Sequence, residues 1–259
     1  MPGEDPFLDL ARYYDPIMQH VDYQRWYLIA TRLAHMFPRS FRHLDAGCGT
    51  GTLIGMLRQA GWNSVGIDLS FAMLHTGRKR RGALPLAVAD LRALPFHESI
   101  DCITCLFDSL NFLLEESDVC RALAGFSTAL SAGGLLYFDV VTERMVTDHF
   151  QGQRWTEDNG RFKSTWSSSY DRKAMICDTR VRVNRGEDSL IRERIYPQKF
   201  IEKAIRGAGL ALLATYDANT GQSPTRRTTR IDFIAAKSDS RQWHRQFKQV
   251  LAEIRKVVY

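Results

Sequence analysis

No apolar run in the 259-residue chain approaches the roughly 18 residues that a membrane span needs. The opening MPGEDPFLDL is acidic and has no basic stretch leading into an apolar one, so no signal peptide is expected. Cysteine is scarce. Five residues, at 48, 102, 105, 120 and 177, form an odd set without the density of a disulfide scaffold. A reducing, cytoplasmic setting is the expectation. Neither sign of charge dominates, with 35 Lys and Arg against 29 Asp and Glu for a net charge of +6. That balance, with 44% hydrophobic and 25% charged residues, excludes disordered and fibrous classes. Repeats and domain-separating linkers are also lacking, so this length predicts one large domain, or one domain with an insertion.

What positive charge there is gathers in Arg78-Lys79-Arg80-Arg81 and in Arg226, Arg227 and Arg230. Both read as solvated surface, the alternative being a weak attraction for phosphate-bearing or acidic substrates. Near the N-terminus, Asp22 is placed to cap a helix with Trp26, Ile29, Ala30, Leu33 and Phe37 on one face, closed by Pro38.

From 41 to 141, apolar runs at 41–45, 64–68, 85–89, 100–106 and 135–141 alternate with helical stretches at 50–60, 70–78 and 117–130. Ser70 caps the second of these, and Gly133-Gly134 stops the third. Such alternation predicts an α/β fold with a parallel sheet covered on both faces. Residues 162–196 change to polar–apolar alternation with turn clusters, which predicts a three-stranded antiparallel meander. A helix after Pro197, strands at 210–216 and 231–236 and a helix over 242–257 complete the chain. The predicted organisation is a helical cap over 1–40, a core over 41–145 and 197–237, an insertion carrying the meander over 146–196, and a C-terminal helix within 238–259.

The most informative segment is His43-Leu44-Asp45-Ala46-Gly47-Cys48-Gly49-Thr50-Gly51, joining the first predicted parallel strand to a helix. Glycines there let a ligand approach the backbone, and such loops lie at the ligand-binding edge of doubly wound sheets. Thr52 occupies the place of the third glycine of a dinucleotide fingerprint, and Asp45 would repel a pyrophosphate but pair with an ammonium. A ligand with a cationic amino-acid end and no phosphate fits, which describes S-adenosylmethionine. Asp68 and Asp90 end the second and third strands, positioned for ribose hydroxyls and an adenine amine, with Leu91 against the ring.

The order LDAGCGTG, GIDLS, AVADLRALPF and DCITCLFDSLNFL resembles the class I S-adenosylmethionine-dependent methyltransferases. Tyr14-Asp15, Trp26, Phe107-Asp108-Ser109-Leu110-Asn111, Arg194-Ile195-Tyr196-Pro197 and residues 231–236 are similar to small stand-alone bacterial members, many without an assigned substrate. The resemblance implies a doubly wound, mostly parallel seven-stranded sheet of Rossmann-like type with an antiparallel last strand. It implies that Asp45 and the backbone of Gly47, Cys48 and Gly49 hold the methionine part of the cofactor. Asp68 would hold the ribose with Leu69 against the adenine, and Asp90 and Leu91 the adenine edge. Phe107 and Asp108 would line the pocket, and Tyr14 and Trp26 would close over the cofactor, unless these two only pack in the core.

Cys102 and Cys105 have C-x-x-C spacing but no second ligand pair, so they read as core thiols and no metal is expected. His20, His75, His97, His149 and His244 are scattered and read as surface residues. Asp139 either meets substrate or hydrogen-bonds a loop. Trp155, Trp166 and Tyr170 either offer aromatic surface to a substrate or form the core of the meander. The expected reaction is methyl transfer to N or O of a small molecule; an RNA methyltransferase and a non-catalytic S-adenosylmethionine-binding protein are the alternatives. Asp108, Asp139 and the histidines stay open as general bases, and the oligomeric state as monomer or homodimer.

Overall fold

The computed structural model describes residues 5–37, 40–237 and 241–259, so the expected stop at Pro38 and the first four residues lie outside the described residues. In chain order the elements are α1 (Ala11–Ile17), α2 (Tyr23–Leu33), β1 (Arg42–Ala46), α3 (Thr52–Gln59), β2 (Asn63–Asp68), α4 (Phe71–Arg81), β3 (Leu86–Val88) and β4 (Ile100–Cys105). There follow α5 (Glu116–Ala129), β5 (Leu130–Val141), the single turn α6 (Glu143–Met145), β6 (Arg154–Asp158), β7 (Lys163–Asp171), β8 (Ile176–Val183) and β9 (Asp188–Arg194). The chain closes with α7 (Gln198–Gly207), β10 (Ala211–Asp217), β11 (Arg230–Ala236) and α8 (Arg241–Val258). No helix among the described residues is long and apolar enough to cross a membrane.

Seven strands form one sheet in the order β10-β11-β5-β4-β1-β2-β3. β1 to β5 pair in parallel, and β11 runs antiparallel to both β5 and β10. The strand order reverses between β1 and β4, so the loops leaving those two strands open the crevice where such sheets take ligands. Alternation sorts the side chains by face. Leu44, Ala46, Ile103, Cys105, Phe138, Val140 and Phe233 join the core with α5 and α7, while Leu135, Tyr137 and Ile234 join the core with α2 and α8. On that second face the same alternation places the polar residues His43, Asp45, Thr104, Asp139 and Asp232, all buried.

Asp22 and Ser70 cap α2 and α4 as expected, accepting from Arg25 N at 3.1 Å and Met73 N at 3.2 Å. The end of α5 differs. The helix stops at Ala129, and β5 begins at Leu130 and runs through both glycines. Ile100 pairs with Leu130 and Cys102 with Leu135, so β5 carries extra residues here, and Gly133 absorbs them at φ +78°.

The meander is also larger than expected. β6-β7-β8-β9 is a four-stranded antiparallel sheet. The missed strand, Arg154–Asp158, is almost wholly polar and exposed. Pairing with β7 defines it, above all the stack of Trp155 on Trp166 at 5.5 Å. Trp166 packs with Phe162, Val181, Leu10 and Ile17, and so belongs to the core between the meander and α1.

The basic run is exposed from Arg78 to Arg80, as expected, but three of its four side chains are also tied down. Arg78 donates to the Leu86 carbonyl. Arg80 and Arg81 reach Asp15 at 3.2 and 2.8 Å, and Arg81 also reaches the Thr50 carbonyl at 3.2 Å. These side chains pin α1 and the glycine loop to α4. Helix α4 approaches that loop so closely that a Cβ at Gly77 would lie 2.2 Å from the Thr50 carbonyl oxygen. Gly77→Ala is therefore expected to lower stability by about 1–3 kcal/mol through overpacking. Urea unfolding checks this, and an unchanged midpoint would refute the tight contact.

Candidate functional site

The glycine loop leaves β1 at Ala46. Its own N–H groups are already spoken for: Gly47 N and Cys48 N donate to the Ile67 carbonyl at 2.8 and 2.9 Å, and Gly49 N donates to Asp68 Oδ2 at 2.8 Å. With these donors spent, the loop is poorly suited to a phosphate. Gly47 sits at φ +78°, where a Cβ would meet Ser109 Oγ at 2.4 Å. Close passage of the β1 and β4 loops thus requires glycine there. The half-buried Cys48 lies against Gly66, and desolvation pushes its thiol pKa up, reinforced by Asp68 and Asp45. Such a thiol is inert.

Asp45 is held by a directed relay that the sequence reading missed. Thr104 Oγ1 donates to Asp45 Oδ1 at 2.6 Å. The Thr104 oxygen then accepts from His43 Nε2 at 3.0 Å, leaving His43 Nδ1 to accept from Ser64 Oγ at 3.0 Å. Burial pushes His43 down to about 3, so the ring is neutral and passes no charge along the relay. Burial pushes the Asp45 carboxyl up to about 7, opposed by the Thr104 hydrogen bond and aided by Asp68. A folded pKa above the unfolded value means that stability is fully present below about 4 and is lost as pH rises to about 7. Asp45→Asn, permanently neutral, is therefore expected to gain thermal stability over the parent protein across that window. Melting temperatures at pH 4 to 8 check this; a difference independent of pH would show that Asp45 is ionised throughout.

Asp68 ends β2, accepting from Gly49 N and from Ser70 N at 2.9 Å. Burial nevertheless raises its pKa. Beside it Leu69 is 65% exposed, and Val88, its neighbour at the end of β3, is 53% exposed. These two uncovered apolar side chains flank the same edge. Asp90 follows β3, as expected. Arg92 grips both its oxygens, at 3.0 and 2.6 Å, and lowers its pKa, while also reaching Asp118 at 3.2 Å. The carboxylate expected to face an adenine amine is thus already paired. Leu91 lies half-buried against the α5 side of the core.

After β4 the chain turns through Phe107 and Asp108, both in the left-handed region at φ 57° and 56°. Asp139 holds them there, accepting Phe107 N at 3.2 Å and Asp108 N at 2.7 Å. Arg230 bridges Asp108 and Asp139 at 2.7 and 2.8 Å and lies over the Phe107 ring. Asp139 is thus the loop-holding residue of the two readings left open, and Arg230 is buried where the sequence suggested surface. Trp26 is buried against Phe107 and Tyr23, at 5.5 Å from each, with its indole N–H unpartnered. Tyr14 lies within the field of Tyr23, Asp108, Asp68 and Asp15; burial first, then those groups, raise its pKa. Tyr14, Asp45, Asp68, Phe107 and Asp108 therefore come together, whereas Asp90 and Leu91 lie at the β3 end.

One further carboxyl was missed. Glu193 belongs to the β9 positions that alternate with Ile191 and Ile195, both buried, so an acid at an apolar position was the available signal. Two shallow surface hollows of about 430 and 600 Å³ hold none of these acids. His20, His75, His97 and His149 are exposed, and His43 reaches the crevice residue Thr104.

Residues 44–134 match the methyltransferase domain family. A candidate methyltransferase of Geobacillus sp. (strain WCH70) is 28% identical over 244 residues, covering 88% of this chain and 98% of that one. Among solved structures, an S-adenosylmethionine-dependent methyltransferase of Clostridium acetobutylicum superposes with a TM-score of 0.75 at 23% identity, covering 91% of this chain and 100% of that one. CalS10, an amino pentose methyltransferase of Micromonospora echinaspora with S-adenosylmethionine bound, gives 0.69 at 20% identity, covering 87% and 97%. Residues 44–134 thus carry a methyltransferase domain, and the chain shares its fold with solved S-adenosylmethionine-dependent methyltransferases.

Proposed function

We propose that this methyltransferase acts on a nitrogen or oxygen of a small molecule. The observation that carries the reading is the enclosure of the crevice. The loop after β4, α1 and the meander pack against one another around it, which favours a compact acceptor over a polymer. The named activity of CalS10, on an amino pentose, is consistent with this. RNA finds little footing, because three of the four residues in the basic run are tied to Leu86, Thr50 and Asp15.

In this reading Asp45 and the loop carbonyls of residues 47–49 take the cationic amino-acid end of the cofactor. Asp68 takes the ribose, with Leu69 and Leu91 beside the adenine. Asp90, paired with Arg92, orders the β3 end. Phe107, Trp26 and Tyr14 exclude water, and the 146–196 segment faces the acceptor. The cofactor supplies an activated sulfonium methyl; the chain supplies alignment, an effect worth up to ~7–11 kcal/mol.

The test is transfer of radiolabelled methyl from S-adenosylmethionine to a bacterial extract separated into metabolite, RNA and protein fractions. Label in the metabolites is expected. Label confined to RNA or protein, or no label at all, would overturn the proposal.

A further inference from the structure

The crevice holds more negative charge than its one guanidinium neutralises. Asp108 and Asp139 share Arg230, and the Glu193 carboxyl is hydrogen-bonded to that of Asp108, so that the pair holds one proton between them while Oε1 of Glu193 takes no part. Oε1 of Glu193 is shut off from solvent and receives no hydrogen bond from any described residue. Its place is built into the fold. Asn111, on the turn after Asp108, donates to the Arg194 carbonyl at 2.8 Å and accepts from Val141 N at 3.1 Å. Arg194 in turn donates to the Leu114 carbonyl at 2.9 Å. These ties fix β9 on the switch-point turn and set Glu193 beside Asp108. Cys177 is its cross-strand partner, and Tyr14 approaches Asp108 from α1.

We infer that Glu193 binds the methyl acceptor as an ammonium and takes its proton, so that the substrate is a primary or secondary amine. This rests on the small-molecule reading above. An enclosed carboxylate oxygen without a donor is costly, and an N–H⁺ group supplies that donor and the missing charge together. A hydroxyl would supply the donor without the charge. Burial and the neighbouring Asp108 raise the Glu193 pKa well above the carboxylate range, opposed by Arg230, which makes it a stronger proton acceptor. When the amine binds, any proton resting between Glu193 and Asp108 leaves to solvent. One ammonium N–H bond then breaks and its proton forms an O–H bond on Glu193. The N–H electron pair becomes the nitrogen lone pair that would take the methyl as the sulfonium S–CH3 bond breaks and leaves its electron pair on sulfur, and the product leaves as the N-methylammonium.

The experiment isolates the labelled metabolite from the extract reaction, determines the methylated atom by NMR, and repeats the transfer with Glu193→Gln and Glu193→Asp from pH 6 to 10. Label on nitrogen is expected. Glu193→Gln should be slower by about 10²-fold at pH 7, with the deficit shrinking as pH approaches the amine pKa and the acceptor arrives already neutral. Glu193→Asp should recover part of the rate. S-adenosylhomocysteine binding, measured by calorimetry, should be unchanged in both variants, which shows that they fold. Label on a metabolite oxygen, or a Glu193→Gln rate within threefold of the parent at pH 7, overturns the amine inference and leaves the small-molecule reading standing. Label only on RNA or protein, or none, overturns both.

Discussion

Arg230→Met is expected to cost about 3–5 kcal/mol, the range seen when one partner of a buried ion pair is removed. Arg230 is the cation that Asp108 and fully buried Asp139 share, at 2.7 and 2.8 Å. Methionine fills much of the volume and keeps contact with Phe107, so packing alone should cost little. What remains is uncompensated negative charge beside Glu193. For a chain of this size the loss corresponds to a fall in melting temperature of about 6–20 °C. Its pH dependence has a definite sign. In the variant the orphaned carboxyls have folded pKa values above their unfolded ones, so stability is lost as pH rises and is recovered towards pH 4, where they protonate. The deficit relative to the parent should therefore be largest at neutral pH. Asp139→Asn in the Arg230→Met background should restore part of it. Thermal unfolding at pH 4 and 7 decides the matter, and equal deficits at both would show that the charges are not the cause.

The same residues show what the sequence made legible. The parallel core followed from apolar runs and glycine placement, because fully buried strands and a loop at a switch point have strong local signatures. Asp45 and Asp68 were legible for the same reason, each ending a run of apolar residues. Arg230 was misread because its neighbours Arg226 and Arg227 stand in an exposed loop, while the first position of β11 points into the crevice. The partner of Asp90 is two residues away in sequence, but nothing local says that Arg92 turns back on it instead of outwards. Strand Arg154–Asp158 exists through its pairing with β7, and composition carries no trace of such pairing. The sequence assigns no role to His43 or Thr104; their roles appear only when β1, β2 and β4 are placed side by side.

Asp68→Ala is expected to weaken S-adenosylhomocysteine binding by on the order of 100-fold, about 2.7 kcal/mol, the worth of one or two hydrogen bonds to a charged acceptor. The carboxylate does two jobs at once. It accepts Gly49 N and Ser70 N, fixing the glycine loop against the start of α4, and it retains lone pairs towards the crevice edge beside Leu69. Alanine orphans both N–H groups, so some stability is lost with the affinity. A second variant separates the two effects. Ser70→Ala removes the α4 cap on Met73 N and the contact to Asp5 but leaves the Asp68 carboxylate intact. It should cost about 1 kcal/mol of stability and keep the affinity within threefold. Calorimetry with S-adenosylhomocysteine gives the affinities, with NAD as the competing dinucleotide. The ligand-induced rise in melting temperature gives an independent reading, because a ligand that binds only the folded state must stabilise it. If Asp68→Ala binds as tightly as the parent, the ribose is held elsewhere. If Ser70→Ala loses affinity equally, loop order rather than the carboxylate controls binding. Since Asp45 lies at the other end of the same loop and titrates near pH 7, the parent affinity should also rise through that pH as its carboxylate forms.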